Sequence, residues 1–206
     1  MAIFLLIRHA MCDPVGRSIA GRAPGVSLNA QGRQQAKALA RRLSSLEIEA
    51  VFSSPLERAL ETAWPIADER GLQVETLAGL NEIDFGEWTG RALEDLAPAA
   101  QWQLFNRYRS GTRIPDGETM LEVVARSVKE LEGLQQTHSE GSLLAIVSHG
   151  DVLRGLIVHN LGMSLDLMFR LELDPASVSV LDLARQGPRL LLLNGGDEWP
   201  STLPRR

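Results

Sequence analysis

The 206-residue chain has one cysteine, no excess of basic residues and no long apolar run. Each absence closes off a class of function. With Cys12 alone, an internal disulfide framework is excluded and a reducing compartment fits. Twenty-one lysines and arginines against 26 acids give a net charge of −5, the wrong sign for the basic footprint of a nucleic-acid binder. An anionic ligand then has to be drawn by a local patch rather than by the whole surface. No apolar stretch approaches the roughly 18–20 residues of a membrane span, and no basic leader with a cleavage site precedes the first apolar run. The expectation is a cytoplasmic protein with neither membrane nor nucleic acid as partner. The chain also has no repeats, low-complexity tract or internal linker, so one domain is expected over residues 1–206, with a polar, proline-bearing tail from about Asn194 that frays. HExxH, paired-cysteine and P-loop patterns are missing, so no metal or cofactor is expected.

What is present starts with Ile3-Phe4-Leu5-Leu6-Ile7, an apolar run that leads straight into Arg8-His9. A short continuous run of this kind reads as a strand buried on both faces. In an open α/β sheet, ligands bind beyond the carboxyl ends of the strands, so Arg8 and His9 stand at the favoured ligand position. Met11 to Leu28 follows, a long loop with glycines at 16, 21 and 25, prolines at 14 and 24, and Arg17 and Arg22. Asn29 caps a helix whose buried stripe is Ala36, Leu39, Ala40 and Leu43. Ala50 to Ser53 is a second strand. Ser54-Pro55-Leu56-Glu57 reads as a capping box opening the next helix, with Arg58 in its first turn and off the apolar stripe.

Leu72 to Leu77 is a third candidate strand. Leu80 to Gly90 is an acidic, aromatic, glycine-bearing loop. Residues 91–109 are helical in pieces around Pro98, and Thr119 to Glu122 is another capping box, opening a helix through about Gln136. Leu143 to Val147 is the fourth buried strand, ending in Ser148-His149-Gly150-Asp151, and a helical spacing resumes from Val152. Met168 to Leu173, Ser177 to Leu183 and Arg189 to Leu193 read as further strands, with a turn at Gly187-Pro188. Alternating strands and helices predict an α/β fold with a mainly parallel sheet and helices on both faces.

Three strand ends carry chemistry. Arg8 and Arg58 can clamp phosphate oxygens bidentately. His149, at a helix N-terminus that favours anions, completes a cationic cup with His9. The carboxyl of Glu82 is out of place as an anion ligand and suits a proton carrier. The set fits phosphoryl transfer: His9 attacks phosphorus as a neutral imidazole, Arg8, Arg58 and His149 stabilise the equatorial oxygens, and Glu82 protonates the leaving oxygen. Arg22 admits two readings, a substrate contact and a solvated loop arginine. Arg107, Arg109 and Arg113 read as a solvated face, the alternative being a specificity rim for an acidic substrate. Trp88 and Trp102 read as packing, and Cys12 as an inert filler.

Arg8-His9-Ala10, Ser53-Ser54-Pro55-Leu56-Glu57-Arg58-Ala59, Leu80 to Gly90 and Val147-Ser148-His149-Gly150 together resemble the histidine phosphatase superfamily, most closely its phosphoglycerate-mutase-like branch. The four blocks span residues 1 to about 160. The resemblance implies a three-layer α/β/α sandwich and a phosphohistidine mechanism with the roles given above. Mutases of the family usually carry a longer loop after the first histidine, with an asparagine on the phosphate, and a long insertion before the second histidine. Neither is present here. The function expected is therefore hydrolysis of a small phosphorylated metabolite. The alternatives are a cofactor-dependent phosphoglycerate mutase and a non-catalytic phospho-ligand module. An exposed apolar strand edge would allow a homodimer.

Overall fold

A computed structural model describes residues 2–183, 187–195 and 198–205. Six strands form one sheet: β1 (Ile3–Arg8), β2 (Ile48–Ser53), β3 (Val74–Thr76), β4 (Leu143–Ser148), β5 (Val178–Asp182) and β6 (Arg189–Gly195). Their order is β3-β2-β4-β1-β5-β6. The first four strands in sequence run parallel, and β5 and β6 join antiparallel at one side.

The described residues form six α-helices, α1 (Ala30–Leu43), α2 (Glu57–Asp68), α3 (Leu93–Leu96), α4 (Ala100–Arg107), α5 (Met120–Thr137) and α6 (Gly150–Asn160); α1 and α2 cover one face of the sheet and α5 and α6 the other. The strands alternate between two cores. Leu5 and Ile7 of β1 pack with Leu39 and Leu43 of α1 and Ala59 and Ala63 of α2. Phe4 and Leu6 pack with Leu131 of α5 and Leu153 and Leu156 of α6. The result is the three-layer α/β/α sandwich, and the unbroken apolar runs of β1 and β4 follow from burial on both faces.

This arrangement fixes where a ligand can sit. The helix that follows β1 in the chain lies on one face and the helix that follows β4 on the other. The two strands are parallel neighbours in register, Arg8 against Ser148. Chain therefore leaves their carboxyl ends in opposite directions and opens a crevice there, as at the switch point of other open sheets.

Several local expectations are corrected. The capping box at Ser54 does not form: α2 begins at Glu57 with Leu56 as an uncapped N-cap. The Ser54 hydroxyl instead meets His149 Nε2 at 2.8 Å, and the Glu57 carboxylate accepts the Gly25 N–H at 2.9 Å. The box at Thr119 does form and opens α5. Residues 168–170 belong to a 3-10 turn, Leu165–Arg170, rather than a strand. Its apolar run is too short for periodicity to tell the two apart, and Met168 buries beneath α6.

The described part of the tail, residues 198–205, does not splay outward. Trp199 Nε1 donates to the Arg42 carbonyl at 3.1 Å, and Leu203 is buried in the α1/α2 core. One tryptophan and one leucine with apolar surface to bury are enough to draw the segment back. Residues 196–197, 206 and 184–186, which precede Gly187-Pro188, lie outside the described residues.

Candidate active site

His9 and His149 each occupy the first position past their strand, and the His9 N–H donates to the Ser148 carbonyl at 2.9 Å. Their rings stand edge to face with centroids 5.2 Å apart. The His9 Nδ1 lies 2.8 Å from the Ala10 carbonyl. A carbonyl only accepts, so Nδ1 carries the hydrogen and Nε2 keeps its lone pair; this tautomer is assigned from the network. Burial, aided by the Arg58 and Arg8 guanidinium groups, lowers His9 to about 3. The ring is thus neutral across the physiological range.

His149 is fully buried. Burial, and then Arg58 and His9, hold it well below the usual imidazole value. Its Nε2 lies 2.8 Å from the Ser54 hydroxyl; that oxygen already accepts the Leu56 N–H at 3.4 Å, so its hydrogen is assigned to Nε2, and the ring hydrogen to Nδ1, from the network. That Nδ1 makes no hydrogen bond to the protein and stands 3.7 Å from Glu82 Oε2.

Arg58 is 1% exposed, the largest of the fully buried side chains. Being off the apolar stripe does not leave it in solvent, as its helix face turns over the strand ends. Its Nη2 donates to the Gly21 carbonyl at 2.8 Å, while Nε and Nη1 are buried with no protein partner. Arg8 Nη1 donates to the Leu173 carbonyl at 2.6 Å, and its Nε is likewise buried and unpartnered. Buried donors normally find acceptors. Here two guanidinium groups and one imidazole withhold donors beside a neutral histidine.

Glu82 sits on the loop after β3. Its Oε1 accepts the Ile83 N–H at 2.9 Å. Burial and the nearby Asp151 raise it to about 7, so at neutral pH it exists in both proton states. Its backbone carbonyl is held by Arg22 Nε at 2.8 Å and Arg126 Nη2 at 3.0 Å.

Arg8, His9, Arg58 and Glu82 line one cavity of about 330 Å³, and His149 meets the His9 ring and Glu82 without lining that cavity. Arg22 does not line it. Its guanidinium is taken up by the Glu82 carbonyl and by Glu118 at 2.9 Å, which braces the Glu82 loop. The long loop after β1 forms the outer wall, pinned by backbone bonds from Ile19 N to Arg91 O and from Gly90 N to Ile19 O. Gly21 turns there with φ of +50°, where an added Cβ would meet Thr89 Oγ1 at 2.9 Å.

Apart from Arg109, whose alternative reading is a specificity rim, the sequence did not single out a second tier of lining residues. Arg109 is 2% exposed, not solvated, and its guanidinium carbon lies 4.1 Å from the Phe105 ring centre and 4.3 Å from that of Phe169. Its Nη1 bonds Asp151 at 2.7 Å, and Arg154 Nη1 bonds the other Asp151 oxygen at 3.2 Å. Burial opposes the charge on Asp151, but the two arginines hold it below its usual range. The i, i+3 spacing of Asp151 and Arg154, directly after His149-Gly150, was a usable signal, and the cluster of Arg107, Arg109 and Arg113 was the one for Arg109. Arg113 is exposed and pairs with Glu122, and Arg107 is exposed. Cys12 is buried on the cavity wall, where burial raises its thiol. Among the described residues, no group of three or more His, Cys, Asp or Glu side chains is arranged to hold a metal, and no helix is long and apolar enough to cross a membrane.

Known proteins share this architecture. "Phosphoserine phosphatase 1" of Hydrogenobacter thermophilus is 31% identical over 94% of this chain and 92% of its own length. "Probable phosphoglycerate mutase GpmB" of Yersinia enterocolitica is 34% identical over 88% of this chain and 85% of its own. Among solved structures, the alpha-ribazole phosphatase of Shigella flexneri superposes with a TM-score of 0.82 at 29% identity, covering 94% of this chain and 96% of that one. A mycobacterial glucosyl-3-phosphoglycerate phosphatase in complex with VO3 superposes at 0.86 with 26% identity, covering 94% and 99%. The sequence model of the histidine phosphatase superfamily (branch 1) matches residues 4–195, nearly the whole stretch that builds the sheet and brings the two histidines together, and the chain belongs to that family.

Proposed function

We propose that the chain is a phosphatase that hydrolyses a small phosphorylated metabolite through a phosphohistidine on His9. One observation carries the reading. Four buried donors without protein partners, Arg8 Nε, Arg58 Nε and Nη1, and His149 Nδ1, accompany an imidazole held neutral with its Nε2 lone pair available. Such donors are aimed where charge develops on a transferring phosphoryl group.

In the first step His9 Nε2 forms a bond to phosphorus and the bond from phosphorus to the ester oxygen breaks. The leaving oxygen takes the proton of Glu82, whose raised value keeps that proton available near neutral pH. In the second step the Glu82 carboxylate draws a proton from water, the water oxygen bonds to phosphorus, and the bond to Nε2 breaks. Alcohol and inorganic phosphate leave, and Glu82 is protonated again. Arg8, Arg58 and His149 hold the three peripheral oxygens throughout, and Arg22 keeps the Glu82 loop in place. The single cysteine and acidic balance support a cytoplasmic setting with a free small molecule as partner.

The mutase-named relatives define the competing outcome. Incubation with 3-phosphoglycerate distinguishes the two: release of inorganic phosphate is expected, and efficient formation of 2-phosphoglycerate overturns the hydrolase reading.

A further inference from the structure

The cavity also has apolar walls. Trp102 and Phe169 line it together with Val15, Ile19 and Leu93. Phe169 is 44% exposed, and Trp102 is partly exposed. Neither ring is loose. Phe169 is held by the guanidinium carbons of Arg109 at 4.3 Å and Arg154 at 5.2 Å. Trp102 stands edge to face with Trp88 at 5.2 Å and contacts Phe105 at 6.3 Å. Large apolar rings fixed in place and left partly open to water mark a surface that a ligand covers.

The charges in the same cavity narrow the ligand further. Among the described residues, the only carboxylates on its lining are Glu82 and Asp151. Asp151 is bonded through both oxygens to Arg109 and Arg154, and Glu82 faces the reaction. No lining carboxylate remains to pair an ammonium, while four arginines line the space. Bringing a cation there would leave it desolvated and repelled.

We infer that the substrate's leaving group is a bulky, partly apolar alcohol without an ammonium group, seated against Trp102 and Phe169. This rests on the phosphatase reading above and narrows it, separating this chain from phosphoserine-type substrates by the lack of an ammonium partner. The aromatic pair supplies the binding energy, and the committed state of Asp151 supplies the rejection.

The test compares kcat/KM of the full-length protein on three alkyl esters: 3-phenylpropyl phosphate, ethyl phosphate and O-phosphoethanolamine. All three depart as poor alkoxides, so differences report mainly the leaving-group pocket. The phenylpropyl ester is expected to exceed ethyl phosphate by about tenfold or more, and the amino ester to fall below it by a similar factor. In Phe169→Ala and Trp102→Ala the phenylpropyl-to-ethyl ratio is expected to collapse to within about threefold. Phe169 is nearly half exposed, so its truncation spares the core, and ethyl phosphate turnover in the same preparation verifies folding. Equal use of the three esters, preference for the amino ester, or an unchanged ratio in both variants overturns the inference while leaving the phosphatase intact. Absence of turnover on every ester by the wild type overturns the phosphatase reading itself and this inference with it.

Discussion

Ser54 Oγ and His149 Nε2 lie 2.8 Å apart, joining side chains 95 residues apart in sequence. They meet because β2 and β4 are parallel neighbours, Ser53 against Val147. With that hydroxyl donating to Nε2, the Nδ1 hydrogen of His149 is the one left for the phosphate in the proposed mechanism. Ser54→Ala is expected to free the tautomer and lower kcat/KM about tenfold with the fold retained. Nitrogen NMR of His149 should show a tautomer mixture in the variant; a single unchanged tautomer with full activity would remove Ser54 from the site.

A second expectation concerns the nucleophile. Rapid quenching during turnover should trap a phosphoryl group that is stable in base and labile in acid, mapping to His9. His9→Ala should lose at least about 10³-fold in kcat on p-nitrophenyl phosphate, as removal of a covalent nucleophile does. Turnover that survives this change would assign the chemistry elsewhere.

Glu82 gives a leaving-group test. Glu82→Gln keeps the shape but has no proton to donate, so alkyl phosphates should slow by about 10²- to 10³-fold. The p-nitrophenyl ester, whose oxygen leaves without help, should slow far less. Equal losses on both esters would contradict a proton donor.

The raised value of Glu82, about 7 against an ordinary 4.5, also predicts two pH effects. Turnover of alkyl phosphates should decline as pH rises through about 7, because the donor form is lost. Between pH 4.5 and 7 the folded protein binds a proton that the unfolded chain has released, so stability falls with rising pH across that window. Glu82→Gln should remove this loss. Its melting temperature is expected to match the wild type near pH 4.5 and exceed it at pH 8, by the equivalent of about 3 kcal/mol. A constant offset at both pH values would show that Glu82 is not strained by its burial.

Arg22 illustrates where a local reading stopped. A glycine-rich loop arginine beside a suspected pocket looks like a ligand contact or a solvated charge. The structure gives it to the Glu82 carbonyl and to Glu118, partners 60 and 96 residues away that no local pattern could supply. Arg22→Ala should therefore lower kcat more than it raises KM, since it loosens the proton carrier and leaves the phosphate donors in place. A change confined to KM would restore Arg22 as a substrate contact.

The chain alone determined the strand and helix alternation, because continuous apolar runs and 3.6-residue stripes are local properties. It also determined the identities of His9, Arg8, Arg58, His149 and Glu82 as candidates, because Arg8, His9 and His149 stand at the ends of buried strands and the rest sit at fixed places in recognisable blocks. Tertiary structure decided what those groups have become. It buried Arg58, took Ser54 away from its helix cap, and clasped Arg109 between two phenyl rings. It also raised the proton affinity of Glu82 while lowering that of His9. Burial and long-range pairing set these properties, and both depend on which distant segments the sheet order makes neighbours.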